Sequence, residues 1–350
     1  MNHLVVLLLL TLSFQSLNGQ TPLSGLLIDS LEKAKNLTES EKNENANLRR
    51  QRTSNASFLR LTLNHSALSY ASPPYCDFGS PKSPYILSAD IIPHFIIGGE
   101  WMRFPIHITT RFKARILREN FEDGDSSLPV RTPSYMPGAT IYAPLHNMTE
   151  NTTKVKYMSL SFFHHSNGQD GREFDSAGKI NLYNGNFSTN YFELAYHFRK
   201  RINPTAGYGE LYGRIGYEHH LWTALALKKT YGDHRINLLF GYIKVDSYTD
   251  EINGIPETEP YLRERYRLVS TATFIASERR HDLSSIEKRI NIDLNYHWRI
   301  RSSPNAALFI GAGYYGSDPY NIYYEQSYFF AHAGISLGFF VAPKMIGLKK

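Results

Sequence analysis

Between Ile286 and Arg299 the chain alternates in character. Ile290, Ile292, Leu294, Tyr296 and Trp298 fall on one parity, and Asn291, Asp293, Asn295, His297 and Arg299 on the other. A period of two is the signature of a strand with one apolar and one polar face. The same texture covers Arg103–Ile116, Thr189–Arg199 and Tyr328–Phe340, in segments ten to fourteen residues long. Strands of soluble proteins average ~5–6 residues, whereas a tilted membrane-spanning strand needs ~9–11. The polar parity carries several Arg, Lys and His residues per strand, which a sandwich core cannot hold but a water-containing barrel interior can. The expected fold class is all-β, a transmembrane antiparallel β-barrel; a soluble β-sandwich is the alternative that strand length argues against.

Residues 1–19 read as a signal peptide. A short polar start precedes the apolar run Leu4–Leu12, and Leu17-Asn18-Gly19 offers a small-residue cleavage site. That run is far short of the ~20 residues a spanning helix requires, and no other stretch is long and apolar enough. Tyr (24) and Phe (20) are abundant, as in barrels that wear aromatic girdles at both membrane interfaces. The single cysteine, Cys76, excludes an internal disulfide framework. Net charge is a modest +6, with basic residues spread through strands rather than clustered. That argues against nucleic acid as a partner and for lipid head groups.

Residues 20–57 are polar and charged, with a weak amphipathic helix around Leu26–Leu37, and read as a partly disordered extension. Eleven strands are expected between about 87 and 340, with a twelfth near Phe58–Asn64 to give the even number that single-chain barrels use. The barrel is thus assigned to 58–342, followed by a short tail, 343–350. Asn-x-Ser/Thr sequons at Asn36, Asn55, Asn64, Asn147, Asn151 and Asn186 are read as chance matches in an Asn-rich chain.

The candidate chemistry lies where a strand ends, in Met158-Ser-Leu-Ser-Phe-Phe-His164-His165-Ser166-Asn167-Gly168. Period-two geometry puts His164 and Ser166 on the face that also carries Met158, Leu160 and Phe162, the lipid side. Asn190 opens a later strand on the face of Phe192, Leu194, Tyr196 and Phe198. If the two strands are neighbours joined by the loop 167–189, a His, a Ser and an Asn meet on an apolar wall, where polar groups are costly unless paired. In that order His164 takes a proton from Ser166, Ser166 attacks an ester carbonyl, and Asn190 orients the imidazole. A His-x-Ser pair also arises by chance and then merely caps a strand. Gly311-Ala-Gly-Tyr-Tyr-Gly316 fits a dinucleotide pattern, but no helix follows it. His219-His220 and His164-His165 point to opposite faces of their strands, so neither pair chelates a metal.

His164-His165-Ser166-Asn167-Gly168 resembles the His-x-Ser-Asn-Gly motif of the outer-membrane phospholipase A family. Ser188-Thr189-Asn190 is similar to that family's Ser-Trp-Asn segment. The loop Ser127-Leu-Pro-Val-Arg-Thr-Pro-Ser-Tyr-Met-Pro137 resembles its Ser-x-Pro-Phe-Arg-x-x-x-Tyr-x-Pro stretch. The motifs occur in the family order and span about 85–225. The resemblance implies a twelve-stranded barrel in the bacterial outer membrane. It implies a phospholipase A1/A2 activity with Ser166 as nucleophile, His164 as base and Asn190 as orienter. It further implies dependence on Ca2+, membrane phospholipids as substrate and a homodimeric active form. The matching calcium positions are Ser127, Gln169 through its backbone carbonyl, and Asn186, with Asp170 an alternative to Asn186. The competing reading is a non-enzymatic barrel, a small pore or structural protein. A third is a secreted glycosylated β-sandwich.

Overall fold

The computed structural model describes residues 39–72, 85–117, 130, 132–149, 152–202, 207–223, 227–248, 251–252, 255–256, 261–300, 306–338 and 340–341. The signal peptide, the Leu26–Leu37 helix, Cys76 and the tail after Val341 lie outside them.

A helix, α1 (Glu39–Asn64), comes first. The strands follow: β1 (Ser69–Ser72), β2 (Tyr85–Ile91), β3 (His94–Gly99), β4 (Met102–Leu117), β5 (Ser134–Pro144), β6 (Lys154–Ser166), β7 (Ser188–Ile202) and β8 (Gly207–Leu221). A helical turn, α2 (Lys228–Tyr231), precedes β9 (His234–Tyr248), and the two short strands β10 (Glu251–Ile252) and β11 (Ile255–Pro256) form a small hairpin. The last strands are β12 (Tyr261–Ile275), β13 (Ile290–Arg299), β14 (Ala306–Tyr315), β15 (Tyr328–Leu337) and β16 (Phe340–Val341).

Every long strand pairs antiparallel with its sequence neighbour, and β1 bridges β2 and β15 to close the ring. β2 and β3 both run along β4 as one strand interrupted at Ile92-Pro93. The closed ring therefore has twelve strands: β1, β2/β3, β4 to β9, and β12 to β15. Eleven of them are those expected after residue 85. The twelfth is not Phe58–Asn64 but the four-residue β1.

Residues 58–64 are the end of α1, which corrects both the twelfth strand and the barrel's start at residue 58. Leu59, Leu61 and Leu63 alternate with Arg60, Thr62 and Asn64, so this short window imitates a strand; only a longer one separates the two periods. Over 54–62 the buried residues Ser54, Asn55, Phe58, Leu59, Leu61 and Thr62 recur at helical spacing. No Gly or Pro interrupts 39–64.

Sidedness follows parity. Leu160, Phe162, Leu194, Ile215, Leu238, Ile292, Leu294, Leu308 and Ile335 all face outward and are exposed. Lys113, Arg115, His165, Glu193, Glu218, His220 and His332, on the opposite parity, are buried inside. Trp101 and Trp298 are exposed near one end of the barrel and Trp222 near the other, as at two membrane interfaces. An apolar exterior around a polar interior, closed by an even number of strands, is the outer-membrane arrangement. The chain is a bacterial outer-membrane β-barrel. Connections at the α1 end include the two-residue turn Glu100-Trp101, and those at the other end include 167–187 and 276–289. Short turns face the periplasm and long loops the exterior.

The lumen is filled at both ends. At the periplasmic end Phe58 and Leu61 pack against Met148, Val155 and Tyr157. Thr62 Oγ1 lies 3.1 Å from His107 Nε2, and Arg267 donates to the Asn64 carbonyl at 2.8 Å. His65 completes this latch. It stacks on Tyr212 with centroids 4.3 Å apart and contacts Tyr157 Oη at 3.1 Å and Glu210 Oε1 at 2.7 Å. At the outer end an aromatic lid includes Phe187, Tyr231, Tyr320, Tyr324, Tyr328 and Phe330. Arg115 is held there between the Tyr85 and Tyr320 rings and paired with Asp318. Between plug and lid lies a cavity of about 530 Å³. Its charges are internally balanced: Asp90 with Arg111, Glu193 with Arg214, and Glu218 with Arg235. Asn55, a sequon asparagine, is buried and donates to the Glu100 carbonyl at 2.9 Å, so it carries no glycan in this fold.

Candidate active site

β6 and β7 are antiparallel neighbours, with His164 opposite Asn190, His165 opposite Thr189 and Ser166 opposite Ser188. His164 and Ser166 share the outward parity of the exposed Leu160 and Phe162; Asn190 shares that of Phe192 and Leu194. His164 Nδ1 lies 3.0 Å from Asn190 Oδ1. A carboxamide oxygen is only an acceptor, so this bond assigns the ring proton to Nδ1 and leaves Nε2 with a lone pair. Ser166 stands one outward position further along β6. No hydrogen bond joins its hydroxyl to His164 among the described residues.

The inward residues between these positions brace the strands from behind. His165 is buried, 3.2 Å from Ser134 Oγ through Nε2 and edge-on to Phe187. Ser134 Oγ in turn accepts from Asn321 Nδ2 at 2.9 Å. Thr189 Oγ1 lies 3.0 Å from His220 Nδ1. Small residues make room for the larger neighbours: a Cβ on Gly138 would fall 2.3 Å from the Phe163 ring and 2.4 Å from the Phe162 carbonyl.

Immediately after Ser166 the chain leaves the sheet under tight control. Asn167 is 1% exposed. Its Nδ2 donates to the Gly185 carbonyl at 2.8 Å, and its Oδ1 accepts from the amides of Gln169 and Phe187 at 3.2 and 3.0 Å. Its own amide donates to the Phe187 carbonyl at 3.1 Å. One side chain thus ties the two ends of loop 167–187 together and fixes where β7 starts relative to β6. Gly168 has φ +67°, a left-handed conformation that glycine adopts without the Cβ penalty. Asn167 was quoted in the sequence motif, but its anchoring role was not legible there. The His165–Ser134–Asn321 brace was missed altogether, since it joins segments far apart in the chain.

Of the calcium positions implied by resemblance, Ser127 lies outside the described residues, as do the neighbouring Leu128, Pro129 and Arg131. Gln169 and Asn186 sit on opposing limbs of loop 167–187: the Gln169 amide is held by Asn167 and the Asn186 amide donates to the Gly171 carbonyl at 3.0 Å. A backbone carbonyl and an amide oxygen are hard, neutral donors of the kind calcium accepts. Asp170 is exposed on the same loop. Among the described residues no three His, Cys, Asp or Glu side chains converge as a metal-binding group.

No protein-family model matches the chain, and no curated protein matches it. Among solved structures it is similar to outer membrane phospholipase A from Escherichia coli, at 9% identity and a TM-score of 0.49, over 78% of this chain and 96% of that one. It is similar to the Salmonella typhi outer membrane phospholipase, a dimer with bound calcium, at 9% identity and a TM-score of 0.47, over 77% and 90%. It is also similar to the β domain of the Bordetella autotransporter BrkA, at 10% identity and a TM-score of 0.32, over 78% and 98%. The chemistry is argued from the chain's own residues.

Proposed function

We propose that this barrel is an outer-membrane phospholipase A that hydrolyses acyl esters of glycerophospholipids. The observation that carries the reading is the His164 Nδ1 to Asn190 Oδ1 contact of 3.0 Å on a wall otherwise made of Leu160, Phe162, Phe192 and Leu194. An oriented imidazole beside a serine hydroxyl, at the level where lipid ester groups meet the protein, suits acyl transfer from lipid.

In this reading Nε2 of His164 removes the Ser166 proton as Oγ bonds to the ester carbonyl carbon. The tetrahedral adduct collapses, its C–O bond to glycerol breaks, and His164 returns the proton to the departing lysophospholipid alkoxide. Water, deprotonated by the same nitrogen, then attacks the acyl-serine; the C–Oγ bond breaks, His164 returns the proton to Ser166 Oγ, and a fatty acid is released. The Oγ to Nε2 hydrogen bond forms as substrate binds, a tightening common when resting sites are filled. Asn190 keeps Nδ1 protonated throughout and turns the ring toward Ser166. Calcium bound beside the ester would supply positive charge to the developing oxyanion. Ser127, the Gln169 carbonyl and Asn186 are its candidate ligands, with Asp170 as the alternative to Asn186. We take the active form to be a homodimer joined through the outer wall.

The plug and the aromatic lid weigh against the alternative of an open pore. The experiment is Ser166→Ala in the full chain. Loss of fatty-acid release from detergent-dispersed phospholipid, with heat-modifiable gel mobility unchanged, is the expected result. Undiminished release would return the chain to the non-enzymatic reading.

A further inference from the structure

His219 lies two residues before the end of β8, and His234 opens β9. The two are direct register partners and share the outward parity of Ile215, Tyr217, Ile236 and Leu238, all exposed. Trp222, just beyond β8, is exposed as well, which puts the pair at the outer membrane boundary rather than deep in the hydrocarbon. The adjacent His220 points the other way, into the lumen, where it meets Glu218 and Thr189. β8 is two strands from β6, so the pair is separate from the His164 site.

Three side-chain atoms crowd together here. The Nδ1 atoms of His219 and His234 are 3.2 Å apart, and Tyr217 Oη lies 2.7 Å from the same His234 Nδ1. The His219 and Tyr217 rings are nearly parallel to that of His234, at 16° and 18°. Their centres, at 4.6 and 6.0 Å from it, are farther away than the atoms in contact. The rings therefore meet at their polar edges, not face to face.

An imidazole nitrogen has one in-plane position, filled by a proton or by a lone pair. If the Tyr217 hydroxyl donates to His234 Nδ1, that lone pair is used. The His219 nitrogen then faces it with a second proton or a second lone pair. If His234 Nδ1 carries the proton instead, it bonds Oη or His219, not both in full. No placement of protons satisfies both contacts, and unsatisfied polar groups at a lipid boundary are costly.

A cation among the three atoms accepts a lone pair from each. Zinc–nitrogen bonds of ~2.0–2.1 Å in a tetrahedral shell set two nitrogens roughly 3.3 Å apart, close to the 3.2 Å seen here. The phenol oxygen stands nearer than that, and Tyr217 is 49% exposed, with room to swing outward. Two imidazole nitrogens select a borderline transition ion, whereas calcium and magnesium prefer sets of oxygens.

We propose that His219, His234 and Tyr217 form a site for one divalent transition-metal ion of the zinc type, distinct from the calcium positions near Ser166. Both imidazoles bind as neutral rings with their protons on Nε2, and water completes the shell. The ion ties the end of β8 to the start of β9 across the connection 222–233. Its binding does not depend on hydrolysis at Ser166.

The test titrates ZnCl2 into the full-length protein in detergent micelles by calorimetry, with calcium present throughout to fill any calcium site. Wild type is expected to bind one equivalent of Zn2+ per chain. His219→Gln and His234→Gln each weaken binding at least about hundredfold, and Tyr217→Phe about tenfold. Heat-modifiable gel mobility checks that each variant is folded. Zn2+ also raises the temperature at which the wild type loses that mobility, because an ion held by the folded state alone stabilises it. The rise disappears when both histidines are replaced. His164→Gln, the control, keeps the Zn2+ equivalent. Loss of that equivalent in His164→Gln, its persistence in the double histidine variant, or a response to Mg2+ as strong as to Zn2+ overturns the site.

Discussion

Replacing Asn190 by Ala removes the oxygen that holds His164 Nδ1 at 3.0 Å and leaves the register of β6 and β7 untouched. In the resting site this is a bond between neutral partners, worth about 0.5–1.5 kcal/mol net. In the proposed reaction His164 takes the Ser166 proton and the donor becomes an imidazolium, and such charge-assisted bonds contribute about 1.5–3 kcal/mol. Stabilisation made only in the transition state is what slows chemistry when lost. The expected loss of 1.5–3 kcal/mol corresponds to roughly 10- to 150-fold in kcat/KM. It should appear mostly in kcat, because Asn190 does not hold the lipid. Ser166→Ala removes the proposed nucleophile and is expected to fall further. The assay is fatty-acid release from mixed micelles, with folding followed by gel mobility. An Asn190→Ala enzyme within threefold of wild type would refute the orienting role. So would one whose defect lies wholly in KM.

Other outcomes test separate links. Leu194→Arg puts a cation on the lipid face of β7, at a position half exposed to the bilayer. If that position lies near the midplane, the barrel should lose about 2–4 kcal/mol in a guanidinium titration in lipid vesicles. His65 is held below the ordinary histidine range by burial, which outweighs the attraction of the Glu210 carboxylate. Its folded value lies below its unfolded value. The stabilisation is therefore fully present above about pH 6.5 and is lost as pH falls below that toward the folded value. Protease cleavage within α1, as a measure of plug release, should rise between pH 7 and 5 and rise less in His65→Gln. Chelation should abolish hydrolysis, and Asn186→Ala should raise the calcium concentration for half-activity about tenfold, ~1.4 kcal/mol of binding. An unchanged calcium requirement in that variant would favour Asp170 as the ligand.

Parity made the barrel readable. Which way a strand residue points depends on its neighbours one and two positions away, so alternation in the chain settles that Leu194 meets lipid and Glu193 the lumen. The same local rule placed His164 and Ser166 together on the outer wall. It failed at Phe58–Asn64, where seven residues cannot distinguish a period of two from one of 3.6. There the lumen's need for an apolar filler against Tyr157 and Val155 decided for helix.

Register is a different kind of information. That His164 lies opposite Asn190, rather than a residue two positions away, depends on how loop 167–187 closes. Asn167 closes it by bonding Gly185, Gln169 and Phe187. The pairing of His219 with His234 depends likewise on how β8 and β9 meet. Strand character, sidedness and membrane location are thus legible along the chain, because each is set by short-range periodicity against a lipid or aqueous neighbour. The plugged lumen and the contacts of the site come from the folded chain alone, because they arise from pairings between segments that local pattern leaves free to slide.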